Sequence, residues 1–216
     1  MKLRTKLRHG RFITLEGIEG VGKSTHLRFV RNWLQKRDIP VLQTREPGGT
    51  LAAEKIRDWL LHAANDKLPA MSELLLMFAA RASHVQQVIQ PALASGRWVL
   101  CDRFTDASYA YQGGGRKLPE RQIAQLEHMV IKGLKPDLTM LLDAPVQVGL
   151  NRVRQRGQRD RFEREQRTFF ERVRRTYLRR ARHEPRRIQI IRADAPLQEV
   201  RQSIVAVLEK HLTRWL

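Results

Sequence analysis

Short apolar runs alternate with longer segments of helical periodicity along this chain, and this alternation constrains the fold more than any other feature. The runs occupy residues 12–15, 41–44, 98–101, 138–142 and 188–191. Apolar residues recur at helical spacing in 23–37, 51–61, 72–93, 120–131, 146–155, 163–183 and 197–215. Because the runs are mostly apolar and do not alternate regularly with polar residues, we expect the strands they predict to be covered on both faces. The sequence therefore predicts an α/β fold of three layers, with five parallel strands between helices.

A glycine-rich turn follows the first predicted strand. Residues 17–24 read GIEGVGKS, which fits the pattern G-x-x-x-x-G-K-[ST] between a strand and a helix. Glycines let successive backbone N–H groups converge on a polyphosphate, and the helix N-terminus adds positive potential. The residues expected to bind the nucleotide are Gly17, Ile18, Glu19, Gly20, Val21, Gly22, Lys23, Ser24 and Thr25. A glycine-rich turn without a ligand is the alternative.

Within this turn, two side chains have distinct expected tasks. Lys23 would contact the terminal phosphates of a nucleoside triphosphate, and the Ser24 hydroxyl would bind Mg²⁺. The third predicted strand ends at Asp102, where a carboxylate could hold the same metal ion or its water shell. A structural ion pair is the alternative for Asp102.

Two arginines stand at the ends of the second and third predicted strands. Arg103 directly follows Asp102, and Arg45 precedes a Pro47-Gly48-Gly49 turn. Arginine can fork onto a phosphate, and the carboxyl ends of parallel strands meet at one edge of a sheet. Arg45 and Arg103 therefore predict a second phosphate site facing the first, which implies transfer between them. A simple turn remains the alternative at Arg45.

The stretch NRVRQRGQRDRFEREQR, residues 151–167, is dense in charge and interrupted by Gly157. A solvated helix face is the ordinary explanation of such a run. Phosphoryl transfer, however, needs positive charge on the transferred group, and residues 18–21 of the glycine-rich turn contain no arginine. We therefore expect a mobile arginine-rich lid over about 151–165, with Arg156 as the first candidate to supply that charge.

Composition narrows the class of protein further. The 216 residues include 41 Lys and Arg against 22 Asp and Glu, a formal charge of +19 that favours phosphates, nucleic acids or acidic ligands. One cysteine, Cys101, excludes an internal disulfide framework. No apolar stretch approaches the roughly 20 residues of a membrane span. We expect a basic tail over 1–10, one domain over 11–216, a cytoplasmic location and no membrane partner.

Six sequence blocks, taken in order, resemble bacterial thymidylate kinases. They are LEGIEGVGKST, TREPGGT, LLLMFAAR, DRFTDASYAYQGGGR, PDLTMLLD and RGQRDRFE, and the resemblance runs from about Arg11 onward. It implies a P-loop NTPase-type kinase domain that transfers the γ-phosphoryl of ATP, with Mg²⁺, to dTMP. The product would be dTDP for dTTP synthesis, and the enzyme would be a homodimer without an obligatory nucleic-acid partner.

The resemblance also implies roles for individual residues. Glu19 would hydrogen-bond the 3′-hydroxyl of dTMP, Arg45 and Arg103 would clamp its phosphate, and Asp102 would lie near Mg²⁺. Arg156, and after it Arg161, match lid arginines of the family. The residues expected to act in catalysis are Lys23, Arg103, Arg156 and Glu19.

At the base, the resemblance implies that Arg81 reaches a thymine carbonyl. Ser108 and Gln112 would line the thymine and sugar, and the ring of Tyr111 would fill the space that a ribose 2′-hydroxyl needs. Many family members have a phenylalanine four residues before this arginine. Here that position is Met77, with Phe78 beside it, so either side chain could cover the base.

Two other functions remain open. A deoxynucleoside kinase would share the glycine-rich turn but would not need the Arg45 and Arg103 pair. A nucleic-acid-stimulated P-loop ATPase would fit the fifteen arginines against five acidic residues in 152–187. That segment has no base-reading motif and no regularly interleaved aromatic residues.

Overall fold

The computed structural model describes residues 10–62, 68–157 and 160–215, and all elements below lie in these ranges. The strands are β1 (Phe12–Glu16), β2 (Val41–Arg45), β3 (Trp98–Asp102), β4 (Leu138–Asp143) and β5 (Ile188–Arg192). They form one parallel sheet in the order β2-β3-β1-β4-β5. The prediction of five parallel strands is confirmed, and each strand extends one residue beyond its apolar run.

The described helices surround this sheet. They are α1 (Lys23–Gln35), α2 (Leu51–His62), α3 (Ala70–His84), α4 (Gln90–Ala94), α5 (Thr105–Ser108), α6 (Glu120–Ile131), α7 (Val146–Arg156), α8 (Arg167–His183) and α9 (Leu197–Trp215). Two π-helical segments, Val85–Ile89 and Tyr109–Gly115, continue α3 and α5. The predicted helix over 72–93 is therefore one continuous helical stretch whose middle is underwound into π geometry.

The three central strands, β3, β1 and β4, are buried on both faces, as the apolar runs predict, whereas the edge strands β2 and β5 are partly exposed. Successive residues of a strand point to opposite faces. Ile13 and Leu15 belong to a core cluster with residues of α1 and α9, including Leu27, Val30, Ile204 and Leu208. The alternate face contributes Phe12 to a second cluster, whose members include Val99, Cys101, Val85 and Ile89. The buried Cys101 thiol is thus part of the sheet core.

Two local predictions differ from the structure. Helix α8 begins at Arg167, not at residue 163, because Asp160 and Glu163 close a turn on each other. The backbone N–H of Glu163 donates to Asp160 Oδ1 at 2.9 Å, and that of Asp160 donates to Glu163 Oε2 at 3.2 Å. The segment 105–115, where no element was predicted, is helical. Three successive glycines at its end disfavour a helix locally, so tertiary packing against α8 decides its conformation.

The charged residues at the strand ends meet at one edge of the sheet. In the register of the sheet, Asp102 pairs with Leu15 on one side and with Arg45 on the other. Glu16 ends β1 beside them, and Asp143 pairs with Arg192 farther along. This edge is where ligands bind in open parallel sheets.

Much of the arginine-rich segment after residue 151 is used inside the molecule. Arg180 and Arg187 both pair with the buried Asp106, at 2.6 and 2.7 Å. Arg174 forks onto Asp143 through two hydrogen bonds of 2.7 and 2.8 Å, and Arg172 donates to the carbonyl of Gly115 at 2.9 Å. Because these arginines already pair with carboxylates and carbonyls of the protein itself, the case for a nucleic-acid-binding surface in this segment is weaker.

Parts of three predictions fall outside the described residues. These are residues 1–9 of the basic tail, residues 158–159 of the lid, and residues 63–67, 158–159 and 216 of the single domain. In the described part of the chain, no helix is long and apolar enough to cross a membrane.

Candidate active site

One large cleft of about 1120 Å³ opens at the carboxyl edge of the sheet. Its walls come from the glycine-rich loop before α1, the loop between β2 and α2, helix α3, the segment after β3, and the end of α7 with the turn that follows. The predicted site residues that line it are Glu19, Gly20, Gly22, Lys23, Ser24, Thr25, Arg45, Met77, Arg81, Asp102, Arg103, Ser108, Tyr111, Gln112 and Arg156. Gly17, Ile18, Val21 and Phe78 lie behind this surface.

The glycine-rich loop adopts a compact turn that leads into α1. Gly22, the residue before the helix, has a φ of 88°, and Gly20 has a φ of 74°. A Cβ on Gly20 would also lie 2.1 Å from the carbonyl oxygen of Gly149 in α7, so only glycine fits there. The helix that leads to the predicted lid is therefore packed backbone to backbone against the phosphate-binding loop.

The side chain of Lys23 is held by backbone carbonyl groups of the glycine-rich loop. Its Nζ donates to the carbonyl oxygens of Gly17 at 3.1 Å and Ile18 at 2.9 Å. Burial of the ammonium group, with a smaller contribution from the nearby charge of Arg103, lowers the pKa of Lys23 to about 8. A phosphate in the loop would offer the ammonium an anionic partner in place of neutral carbonyls.

Glu19, Arg103 and Tyr111 form a connected group at the centre of the cleft. Arg103 Nη2 donates to Glu19 Oε1 at 2.8 Å, and Arg103 Nη1 donates to the carbonyl of Gly17 at 2.8 Å. The Tyr111 hydroxyl lies 2.7 and 2.6 Å from the two carboxylate oxygens of Glu19. The guanidinium of Arg103 also lies over the Tyr111 ring, 4.8 Å from its centroid. Three predicted site residues far apart in sequence are thus in direct contact.

The backbone at Arg103 is unusual, and Glu16 supports it. Arg103 has a φ of 70°, a conformation that costs a non-glycine residue energy. Buried Glu16 accepts the next backbone N–H, that of Phe104, at 2.7 Å and the Tyr177 hydroxyl at 2.7 Å. Burial, and then the charge of Asp106, raise the pKa of Glu16 to about 7. This turn aims Arg103 back across the end of β1.

The side chains of Asp102 and Ser24 offer oxygen ligands suited to a divalent cation. Asp102 Oδ1 is buried and accepts no hydrogen bond from any residue in the described ranges. A buried carboxylate oxygen left without a partner is costly unless a ligand satisfies it. The Ser24 hydroxyl is exposed in the same cleft. Both groups supply oxygen, which is the donor type that Mg²⁺ prefers.

A second arginine stands beside Arg45, and the sequence did not single it out. Arg57 of α2 lines the cleft and donates to the carbonyl of Pro47 at 2.9 Å. Burial, and then the charge of Arg45, lower its pKa. Arg45 itself pairs with Glu54 at 2.9 Å. In sequence, Arg57 looks like one charge on an amphipathic helix, so no local pattern distinguishes it.

At the other end of the cleft, the Arg81 guanidinium is fixed on three sides. It donates to Glu46 Oε2 at 2.6 Å, to the Ser108 hydroxyl at 3.0 Å and to the Phe104 carbonyl at 3.2 Å. Glu46, another residue that sequence reasoning missed, is buried and also contacts His84 at 3.0 Å. The only clue to it was its place inside the TREPGGT block.

The structure separates Met77 from Phe78. Met77 lines the cleft, whereas Phe78 is 2% exposed and belongs to a core cluster with Leu74 and Tyr109. The guanidinium of Arg81 lies 4.6 Å from the centroid of the Phe78 ring. Neighbouring residues on a helix face different directions, which is why only one of the two reaches the cleft.

The described lid residues close part of the opening. Arg156 lines the cleft and is paired with Glu163, while the Phe162 ring lies 6.0 Å from that of Tyr111. Arg161 does not line the cleft; it pairs with Glu73 of α3 at 2.7 Å. Arg152, which was not predicted, does line it and donates to the carbonyl of Ala193 at 3.2 Å.

A parallel sheet whose first strand leads into this loop defines a nucleotide-binding protein of the P-loop class. Residues 15–204 match the family model for thymidylate kinase. The chain is 58% identical over 208 residues to "Thymidylate kinase" of Chromohalobacter salexigens, covering 95% of this chain and 98% of that protein. It is 49% identical over 212 residues to "Thymidylate kinase" of Chromobacterium violaceum, covering 98% and 100%.

A solved structure is similar across the whole fold. The crystal structure of thymidylate kinase from Ehrlichia chaffeensis superposes with a TM-score of 0.75 at 32% identity, covering 93% of this chain and 98% of that one. The chain therefore belongs to the thymidylate kinase family. The resemblance inferred from the sequence blocks is confirmed, and the two alternative functions are not favoured.

Proposed function

We propose that this protein transfers the γ-phosphoryl group of ATP to dTMP and releases dTDP and ADP. The observation that carries the proposal is a single cleft lined both by the glycine-rich loop with Lys23 and by Arg45, Arg57 and Arg103. Such a cleft can hold a triphosphate and a monophosphate at the same time. A deoxynucleoside kinase would have a neutral hydroxyl where these arginines converge.

The chemistry proposed is in-line transfer assisted by positioning and charge. The 5′-phosphate of dTMP is already an anion near neutral pH, so no side chain has to act as a nucleophile or a strong base. Lys23 and Arg156 would neutralise charge on the transferred group, and Arg45 and Arg103 would hold the acceptor phosphate. Glu19, released from Arg103 by that phosphate, would accept a hydrogen bond from the sugar 3′-hydroxyl.

Ser24 and Asp102 would hold Mg²⁺ through the hydroxyl and the unpartnered carboxylate oxygen. When bound there, Mg²⁺ would supply positive charge that neutralises the phosphate groups. At the base, Arg81 would donate to a thymine carbonyl, with Ser108 and Gln112 beside it and Met77 against the ring face. A thioether packs well against an aromatic face.

ADP production with each acceptor in turn tests the proposal. We expect ADP to form rapidly with dTMP and ATP, and only at background level with thymidine, DNA or RNA in place of dTMP. Rapid turnover with thymidine would point to a deoxynucleoside kinase. Stimulation by nucleic acid without dTMP would point to an ATPase, and either result would refute the proposal.

Tyr111 should decide between deoxyribose and ribose through its ring. Tyr111→Phe keeps the ring but loses the hydroxyl that contacts Glu19, so we expect the KM for dTMP to rise roughly tenfold at most while the preference for deoxyribose remains. Tyr111→Ala should relax that preference. The measurement is kcat/KM for dTMP against the ribonucleotide; an unchanged ratio in Tyr111→Ala would rule out the steric role.

Lys23 should make ATP binding depend on pH. Its pKa of about 8 means that the free protein loses this positive charge as pH rises above that value, whereas bound phosphate would hold the proton on. ATP affinity should therefore fall by up to about tenfold per pH unit above pH 8, with proton uptake on binding. Calorimetry in buffers of different ionisation enthalpy measures that uptake. Lys23→Met should abolish it, and uptake that persists in this variant must come from another group.

We also propose that residues 11–216 act as one kinase domain with a lid over about 151–165, as a cytoplasmic homodimer. Exposed apolar side chains support an interface on the adjacent helices α2, α3 and α6. They are Leu51 at 79%, Trp59 at 45%, Leu75 at 49% and Met129 at 64% exposure. Sedimentation equilibrium should give twice the chain mass of 25.2 kDa; a monomer at micromolar concentration would contradict the dimer.

A further inference from the structure

Glu73 on α3 is a fully buried carboxylate that the proposed chemistry does not use. It accepts hydrogen bonds from three side chains, two of them from the π-helical segment 109–115 and the residue that follows it and one from the lid. Gln112 Nε2 donates at 2.8 Å, Arg116 Nε at 3.2 Å and Arg161 Nη2 at 2.7 Å. Burial of a charged group is tolerated only when such partners surround it. These three donors therefore depend on one another through a single acceptor.

The first consequence concerns the orientation of Gln112. A carboxylate offers only acceptor oxygens, so the amide of Gln112 must turn its NH₂ group towards Glu73. Its carbonyl oxygen is then fixed on the other side of the amide, and Gln112 lines the base end of the cleft. Glu73 thus sets which hydrogen-bonding group Gln112 presents to a ligand there.

The second consequence concerns the lid. Arg161 is anchored to Glu73, and it also donates from Nε to the carbonyl of Leu60 at 2.8 Å. Arg116 carries a second link, because it contacts Glu73 and Glu165 together. Residues 161 and 165 of the lid are therefore both tied to the carboxylate that orients Gln112.

We propose that Glu73 is a positioning residue that couples the lid to the base end of the cleft. The inference rests on the proposed function, because it assigns dTMP to the Gln112 end and ATP to the side that the lid covers. A shift of the lid that moves Arg161 would change how Glu73 hydrogen-bonds to Gln112. In the other direction, a base bound to Gln112 would hold the Glu73 carboxylate in the position where it accepts from Arg161. ATP and dTMP should consequently bind cooperatively, with the same factor in both directions.

The experiment compares the dTMP dissociation constant with and without a saturating non-hydrolysable imido analogue of ATP and Mg²⁺. In the wild-type protein, we expect the analogue to tighten dTMP binding by about fivefold or more. Glu73→Gln removes the charge that Arg116 and Arg161 need, whereas Arg161→Met cuts the direct lid connection and leaves the Glu73–Gln112 contact and the link through Arg116 and Glu165 in place. The ratio of the two constants should fall to about one in Glu73→Gln and to an intermediate value, clearly below the wild-type ratio, in Arg161→Met.

Glu171→Gln is the matched control, since it makes the same chemical change in an exposed pair with Arg167 on α8. It should keep the wild-type ratio. A purely structural role of Glu73 would lower the melting temperature without changing the ratio. If Glu73→Gln does not fold, Arg161→Met alone decides.

The inference is overturned if a folded Glu73→Gln or Arg161→Met keeps the wild-type ratio, if the control loses it, or if the wild-type ratio is one. Failure of the proposed function is a separate result, because it appears as wild-type protein that does not convert dTMP to dTDP.

Discussion

Lys23→Met should lower turnover with ATP and dTMP by roughly 10²–10³-fold, with little change in dTMP affinity. The variant keeps the aliphatic stem and removes the only ammonium in the glycine-rich loop. In the resting structure that ammonium rests on two backbone carbonyls, those of Gly17 and Ile18. Exchanging these neutral partners for phosphate oxygens strengthens the contact most where negative charge is greatest during transfer. The loss should therefore appear in kcat rather than in dTMP binding.

Lys36→Met is the control for this prediction, because Lys36 is exposed just beyond the opposite end of α1. It should turn over at the wild-type rate. Both variants need melting curves, since Lys23 also stabilises the resting loop. A folded Lys23→Met with turnover within a few-fold of wild type would show that Lys23 does not stabilise the transferred group.

Arg156→Ala should lower kcat by about 10³-fold while dTMP affinity stays within about twofold. No arginine occurs in residues 18–21 of the loop, so the positive charge beside the transferred group has to come from elsewhere. Arg156 is at the end of α7, which packs on that loop through Gly149 and Gly20. Its guanidinium lines the cleft with a side-chain exposure of 61% and is paired with Glu163. A phosphate would take over from that carboxylate as its partner.

The control for this second variant is Arg154→Ala, two residues earlier on the same helix and exposed outside the cleft lining. Single-turnover kinetics separate the chemical step from product release. We expect a slow chemical step in Arg156→Ala alone. A wild-type chemical step in that variant would mean that another arginine of the cleft, with Arg152 the nearest alternative on α7, supplies the charge.

The fold could be predicted closely from the sequence because its signals are local. Mostly apolar runs without regular alternation indicate parallel strands, and each run ends within one residue of the observed strand end. The glycine-rich loop is recognisable because backbone N–H groups can converge on a phosphate only with glycines at set positions. Helix α8 began later than expected because Asp160 and Glu163 cap each other, a contact that periodicity does not register.

The site was predictable only where a residue lies at a strand end or in a recognised block. Arg57 and Glu46 were missed because their importance comes from partners on other elements, the carbonyl of Pro47 in one case and Arg81 and His84 in the other. The choice between Met77 and Phe78 depended on which side of α3 faces the cleft. Arg161 belongs to the same charged run as Arg156, yet the two guanidinium groups point to different carboxylates.

By itself, the sequence determined the strand and helix pattern, the phosphate-binding loop and the family, since these follow from the spacing of residues along the chain. Only the tertiary structure decided that many arginines of the segment after residue 151 form ion pairs and hydrogen bonds with carboxylates and carbonyls of the protein itself. It alone brought Glu73 into contact with Gln112 and Arg161, which are 39 and 88 residues away in sequence. The physical reason is that a buried charge is stabilised by whichever partners the packed elements bring to it, and those partners leave no periodic trace in the chain.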